Sequence, residues 1–499
     1  MTFTVSHHIG GRIVTGGRGT SPIHNPSTGE RIGDVELADA ELVSQAVATA
    51  KEAFQSWSQS SLGRRTAILF AFRELMAANA EQLGAIVTRE HGKVLSDAIG
   101  EVGRGLDVID YVCGIPQLLK GEFTMQASSG LDVYSFREPL GVCAGVTPFN
   151  FPVMCPMWMA PVAIACGNTF VLKPSEADPS ASLFIADLWQ RAGLPDGVFN
   201  VVQGDRHAVA ALETHPDVKS LSFVGSTRVG RELHAIGTAH GKRVQALCGA
   251  KNHGLVLADA DLEFAATNAA ASAFGAAGER CMALPVIAVV EQVAEEFIAR
   301  VVDKAKAIKV ADGMTADADM GAIISRSARD RIEATVTEAE AAGARVLLDG
   351  RGFHPDGHED GFWTGPTILT DVTTDMRAYR EEIFGPVLVI MRIKDLDEGI
   401  ELIRDCPFGN GAAIFTGSGQ AARRFTREIP VGMIGVNVPI PVPVAYHSFG
   451  GWQDSFVGES HIYGPEGVKF FTEAKAVTQR WTEPAAATFH FAGASQASN

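Results

Sequence analysis

The residue in this chain best placed for covalent chemistry is Cys281. It lies in Phe274-Gly275-Ala276-Ala277-Gly278-Glu279-Arg280-Cys281-Met282-Ala283, after a glycine-rich break and beside an arginine. A thiol attacks as its thiolate, and a neighbouring guanidinium can favour that form. Most cysteines are small buried hydrophobes, the reading we give Cys113, Cys143, Cys155, Cys166, Cys248 and Cys406. A second segment, Thr147-Pro148-Phe149-Asn150-Phe151-Pro152, separates an apolar strand from an apolar helix. There Asn150 either caps the helix or presents an amide donor at the mouth of a sheet, where ligands of α/β folds bind. A third, Phe223-Val224-Gly225-Ser226-Thr227-Arg228-Val229-Gly230, is a strand–turn–helix sequence. Its turn is either structural or a phosphate cradle of backbone N–H groups at a helix N-terminus.

These residues need a scaffold, and the pattern of apolar positions predicts one. Asp39 can cap a helix with the stripe Val43, Ala46, Val47, Ala50, Phe54 and Trp57. Helical patterns follow at Arg64–Ala77 and Ala80–Arg89, the second ended by Gly92. Short β-rich runs then appear at Val142–Thr147, Thr169–Lys173, Val198–Gln203, Ser220–Gly225 and Val244–Gly249, with helical stretches at Ser180–Ala192 and Val229–Thr238 between them. Such alternation predicts a parallel, doubly wound sheet. It restarts with Gly254–Leu257, a helix over Phe264–Phe274 and Val286–Val290, so a second α/β domain is expected. The apolar run Phe151–Gly167 carries Pro152, Pro156 and Pro161 and is short for a bilayer, so it reads as a buried helix start.

With 499 residues, of which 46% are hydrophobic and 20% charged, the chain can bury large cores in two to four domains. A net charge of −16 argues against nucleic acid or an anionic membrane as a partner. Seven cysteines without a Cys-x-x-Cys pair fit reduced thiols in a cytosol. No His/Cys/Asp cluster has metal-ligand spacing, so no metal is expected. The first residues lack the order of a secretory or transit signal, so a cytoplasmic location is expected. From Pro484 the tail is rich in Ala, Ser and Gly, and a flexible tail is expected over 488–499.

Taken together, these segments resemble the aldehyde dehydrogenase superfamily over residues 8–480. Two more marks of that superfamily are Lys173-Pro174-Ser175-Glu176 and Glu381-Glu382-Ile383-Phe384-Gly385-Pro386, and all occur in family order. The resemblance implies that Cys281 attacks an aldehyde to give a thiohemiacetal, whose oxyanion is held by the Asn150 amide and the Cys281 backbone N–H. Hydride passes to NAD and leaves a thioester on Cys281. Lys173 and Glu176 would meet the adenosine ribose, Gly225 and Ser226 the pyrophosphate, and Glu382 and Phe384 the nicotinamide ribose and ring. Thr147 and Phe149 complete the cofactor set. A carboxylate facing the ribose diol points to NAD over NADP. Phe151 and Phe449 fall where the superfamily lines its aldehyde tunnel, with core packing as the other reading.

One departure narrows the chemistry. Hydrolytic members carry Glu-Leu-Gly-Gly-Lys, in which the Glu activates water, whereas this chain has Leu247-Cys248-Gly249-Ala250-Lys251. Leu247 cannot accept a proton, so a thiol such as coenzyme A is the candidate acyl acceptor. Gly249–His253, Gly278–Ala283 and Ile434–Pro443 resemble the coenzyme A-acylating methylmalonate-semialdehyde (malonate-semialdehyde) dehydrogenase branch, which usually has Asn where Leu247 stands. That branch acts in valine and inositol catabolism. Its substrate bears a carboxylate, for which Arg280 and Arg104 are the matching guanidinium groups. The other reading of both arginines is an ion pair with Glu101 or Glu279. A hydrolytic dehydrogenase of another small aldehyde, or a silent protein on the same scaffold, are the rival functions.

By resemblance the expected fold is α/β: a Rossmann-type NAD-binding domain (1–122 and 139–252), a catalytic domain (253–445) and a small β element (123–138 with 470–487). That element pairs subunits into a homo-oligomer, a dimer or a tetramer. Tyr134 and Phe136 alternate with Ser135 and Arg137 as a β-ribbon would.

Overall fold

The computed structural model describes residues 3–481. The expected tail at 488–499 and residues 482–487 of the small β element lie outside them. Three sheets carry the architecture. The largest has eight strands in the order Phe456–Gly458, Arg243–Leu247, Val218–Val224, Val142–Val146, Thr169–Lys173, Phe199–Val201, His7–Ile9, Arg12–Val14. Its five central strands are parallel and its flanking strands antiparallel. Val142–Val146, Thr169–Lys173 and Val286–Val290 are buried at every residue, because helices cover both faces. Strand order reverses at Val142–Val146: the chain first winds toward Thr169–Lys173, then returns to add Val218–Val224 on the other side. A doubly wound sheet opens a crevice at the carboxyl ends of such strands, and the Asn150 and Gly225 turns follow these two.

The second sheet has seven strands, with His253–Val256 flanked by Val286–Val290 and Gly411–Phe415. It is parallel except for its edge strand Arg345–Leu348. Only residues 248–252 connect Arg243–Leu247 of the first sheet to His253–Val256 of the second. So short a link forces the carboxyl edge of one sheet to face the amino edge of the other. The Cys281 loop precedes Val286–Val290 and the Glu382 loop precedes Val387–Ile393, which brings both to that junction. The third sheet pairs Phe123–Ser128, Leu131–Pro139 and Thr472–Gln479 in antiparallel fashion.

Local chemistry explains the helices around the site. Asp39 caps Ala40–Trp57 by accepting from the Leu42 N–H at 2.9 Å, and the Val43, Ala46, Val47 and Ala50 stripe is buried. Gly92 ends Ala80–His91 in the left-handed region, φ 94°. Met154–Ala165 is apolar on every face and wholly buried. Leu95–Cys113, which the sequence pattern did not single out, packs against it and carries Asp97, Glu101 and Arg104. Among the described residues no helix is long and apolar enough to cross a membrane, and no group of three His, Cys, Asp or Glu side chains could hold a metal ion.

Candidate active site

Seven of the sequence-predicted residues line one cavity of about 220 Å³ at the junction of the sheets: Phe149, Asn150, Gly225, Ser226, Cys281, Glu382 and Phe384. Cys281 is partly exposed there, whereas the other six cysteines are buried and all seven are free thiols. Cys248 lines the same cavity. The Cys281 loop is strained on the way in, with Ala276, Ala277 and Gly278 at φ 47°, 52° and 71°. Left-handed backbone costs a non-glycine residue roughly 1–2 kcal/mol. Glycine is required at 278, since a Cβ there would lie 2.1 Å from the Gly385 carbonyl oxygen, so the nucleophile loop rests directly on the Glu382–Phe384 loop. Three residues hold the loop, of which Asp97 and Asn410 carry no local sequence signal. Asp97 accepts the Ala276 N–H at 3.0 Å, and Asn252 and Asn410 donate to the Cys281 carbonyl at 2.9 and 3.1 Å.

Desolvation pushes the Cys281 thiol up to about 12, and the Glu382 charge pushes the same way. The backbone N–H groups of Cys281 and Met282, and the Arg280 charge, oppose this without prevailing. The adjacent arginine therefore does not make Cys281 a standing thiolate, because burial outweighs it. The thiol is held protonated, and attack requires its proton to leave.

Asn150 does not cap the helix that follows. That work falls to Glu101, whose carboxylate accepts from the Val153 and Met154 N–H groups at 2.9 and 3.3 Å. The Asn150 amide instead donates to the Glu279 carbonyl at 3.0 Å, two residues before the nucleophile. An amide has two N–H donors, so fixing one on Glu279 leaves the other for a ligand beside Cys281. Burial pushes the Glu279 carboxyl up to about 8 and that of Glu382 up to about 7. Glu382 accepts the Ala250 N–H at 3.1 Å, and a Cβ at Gly249 would lie 2.9 Å from its other oxygen. Leu247 is buried at the end of its strand, beside Val224, so that position presents no carboxylate.

The remaining predicted residues divide. Lys173 bonds Glu176 at 3.2 Å and the Gly204 carbonyl at 2.8 Å, at the carboxyl end of its strand, and Glu176 stays half-exposed. Ser226 is the N-cap residue of Thr227–Ala239 but its side chain makes no capping bond, and the Thr147 hydroxyl is buried without a partner. Phe149 and Phe384 meet edge to face, with ring centroids 5.8 Å apart. A helix N-terminus beside a glycine turn, an uncommitted serine and carboxylates at 176 and 382 fit a dinucleotide. The arginines pair with neither Glu101 nor Glu279. Arg280 bonds Asp97 at 2.7 Å, at a neighbouring cleft, and Arg104 bonds Asp107 at 2.9 Å and the Pro443 carbonyl at 3.1 Å. Phe151 is half-buried, whereas Phe449 is buried against Trp158, with ring centroids 4.8 Å apart.

The Aldehyde dehydrogenase family profile matches residues 13–477. The chain belongs to the aldehyde dehydrogenase family. It is 48% identical over 483 residues to the malonate-semialdehyde dehydrogenase of Pseudomonas aeruginosa, covering 97% of each chain. It is 43% identical to the human mitochondrial methylmalonate-semialdehyde/malonate-semialdehyde dehydrogenase [acylating], covering 96% of this chain and 90% of that one. Among solved structures, a Sinorhizobium meliloti protein complexed with NAD matches with a TM-score of 0.96 at 44% identity, over 97% of this chain and 99% of that one. Methylmalonate-semialdehyde dehydrogenase from Oceanimonas doudoroffii matches with a TM-score of 0.95 at 45% identity, over 97% and 99%. The α/β fold with a Rossmann-type sheet is thus that of known aldehyde dehydrogenases.

Proposed function

We propose that this aldehyde dehydrogenase oxidises malonate or methylmalonate semialdehyde with NAD and transfers the acyl group to coenzyme A, releasing CO₂ and acetyl- or propionyl-coenzyme A. The observation that carries this reading is a cavity that joins Cys281 and Asn150 while Leu247 stands where a hydrolytic enzyme needs its base. The names of the relatives at 42–48% identity agree with it.

In this reading the Cys281 sulfur bonds to the aldehyde carbon as the thiol proton leaves, giving a thiohemiacetal. The free Asn150 N–H and the Cys281 backbone N–H stabilise the oxyanion. Gly225, Ser226, Lys173, Glu176, Glu382 and Phe384 would hold NAD, with Thr147 and Phe149 beside them. NAD supplies the hydride acceptor. Cys281 then carries a malonyl or methylmalonyl thioester. Its carboxylate leaves as CO₂, the C–C bonding pair passing into the thioester enolate, which takes up a proton at carbon. The coenzyme A thiol then displaces the acetyl or propionyl group with return of a proton to the Cys281 sulfur. Arg280, the nucleophile's neighbour in the chain, would meet the substrate carboxylate, with Arg104 and Phe151 on the approach, while Phe449 packs against Trp158. The division into an NAD-binding domain (1–122, 139–252), a catalytic domain (253–445) and a bridging element (123–138, 470–487) belongs to the same reading. So do a homo-oligomer and a cytoplasmic location. NADH formation over a panel of small aldehydes, with coenzyme A varied and acyl products identified by mass, tests the proposal. Turnover confined to aldehydes without a carboxylate would overturn it.

A further inference from the structure

We propose that Lys93, held by Glu101, is a positioning residue that sets the Asn150 amide in the oxyanion site; this rests on the reading of Asn150 as the oxyanion donor. Lys93 is 1% exposed, a rare state for a lysine. Its ammonium bonds Glu101 at 2.7 Å, donates to the Asn150 carbonyl oxygen and lies 4.5 Å from the centroid of the Phe151 ring. Glu101 spends its other oxygen on the Val153 and Met154 N–H groups. One buried pair therefore grips the backbone at residue 150 and again at 153–154, while the Glu279 carbonyl grips the Asn150 side chain from the opposite side.

The lysine is itself delivered rigidly. The chain enters from Gly92 at φ 94°, and Leu95 donates its N–H to the Gly313 carbonyl at 2.9 Å. A Cβ at Gly313 would fall 2.3 Å from the Lys93 carbonyl oxygen, so this segment packs in direct contact with the Gly313 backbone. A buried ion pair is no general source of stability, since apolar side chains of similar volume often do as well or better. What Met and Leu could not reproduce here is an ammonium on the Asn150 carbonyl. The pair's contribution is geometric, and a shift of about 1 Å in a catalytic group can cost about a hundredfold in rate.

The test uses the full-length enzyme, in the variants Lys93→Met, Lys93→Met/Glu101→Gln (which leaves no unpaired buried charge) and Asn150→Ala, and Lys93→Met in the Asn150→Ala background. We expect the Lys93→Met/Glu101→Gln enzyme to fold, to bind NAD and to be alkylated at Cys281 within about twofold of wild type. Its kcat should fall about 10- to 100-fold, with KM little changed. Because Lys93 acts through Asn150, Lys93→Met should cost almost nothing further once Asn150 is alanine. Undiminished kcat in the folded double variant, or the same loss with and without Asn150, would overturn the proposal. Full turnover by Asn150→Ala would overturn the oxyanion reading beneath it.

Discussion

Arg280 offers the most informative perturbation, because its two roles diverge in measurable ways. Its guanidinium has five N–H donors, and the side chain is 19% exposed with a bond to Asp97 at 2.7 Å. Donors therefore remain for a carboxylate on the aldehyde. Arg280→Leu removes two things at once. The first is the Asp97 pair, partly exposed and worth about 1 kcal/mol or less, whose loss every aldehyde feels alike. The second is the charge-assisted contact to the substrate, worth on the order of 2–4 kcal/mol, or about 30- to 1,000-fold in kcat/KM. We expect malonate semialdehyde to lose that factor while propanal, which lacks the carboxylate, loses little. Arg280→Lys should recover little, since a point charge cannot copy the guanidinium fork. Steady-state kinetics on both aldehydes, with thermal unfolding as the control for the Asp97 pair, decides the matter. Equal losses on the two substrates would refute the anchor role and leave Arg280 as support for the nucleophile loop.

Cys281→Ala should abolish turnover while calorimetry still finds NAD binding, since only the covalent step needs the sulfur. Glu176→Gln should weaken NAD binding and narrow the preference over NADP, read from the two affinities; unchanged values for both would remove Glu176 from the ribose. With its thiol pushed up to about 12, Cys281 in the free enzyme should be alkylated about tenfold faster per pH unit between pH 7 and 10. Glu382→Gln should raise the rate at a given pH, because the charge that disfavours thiolate is gone. A plateau below pH 9 in wild type would contradict this.

Much of the scaffold was legible because its signals are local. The Asp39 cap, the Gly92 stop and the all-apolar strand Val286–Val290 announce their elements within a few residues. Thr169–Lys173 and Val286–Val290 were read with their observed bounds. The carboxyl ends of the other strands were read one or two residues long, since flanking residues such as Thr147 and Gly225 share the strand texture but turn away into the site. Cys281, Asn150 and Glu382 were legible through motif likeness, and one cavity joins them. What supports them was not. Asp97 lies 179 residues from Ala276, and Lys93 lies 57 from Asn150, so no spacing rule links them. Leu95–Cys113 escaped notice because Gly100, Gly103 and Gly105 interrupt its pattern, though two of these face open space and Gly105 admits close packing on Met157. Arg280 shows the converse failure. Its neighbour in sequence suggested thiolate, but desolvation is the larger influence, and burial is a property of the fold.

The central claim is that the acyl group leaves Cys281 on coenzyme A because no residue at position 247 activates water. Rapid mixing of enzyme, NAD and malonate semialdehyde without coenzyme A should give a stoichiometric burst of NADH followed by a slow phase. Adding coenzyme A should convert the slow phase to steady turnover, with acetyl-coenzyme A formed in step with NADH. Steady turnover to a free acid at the same rate in the absence of coenzyme A would contradict the account.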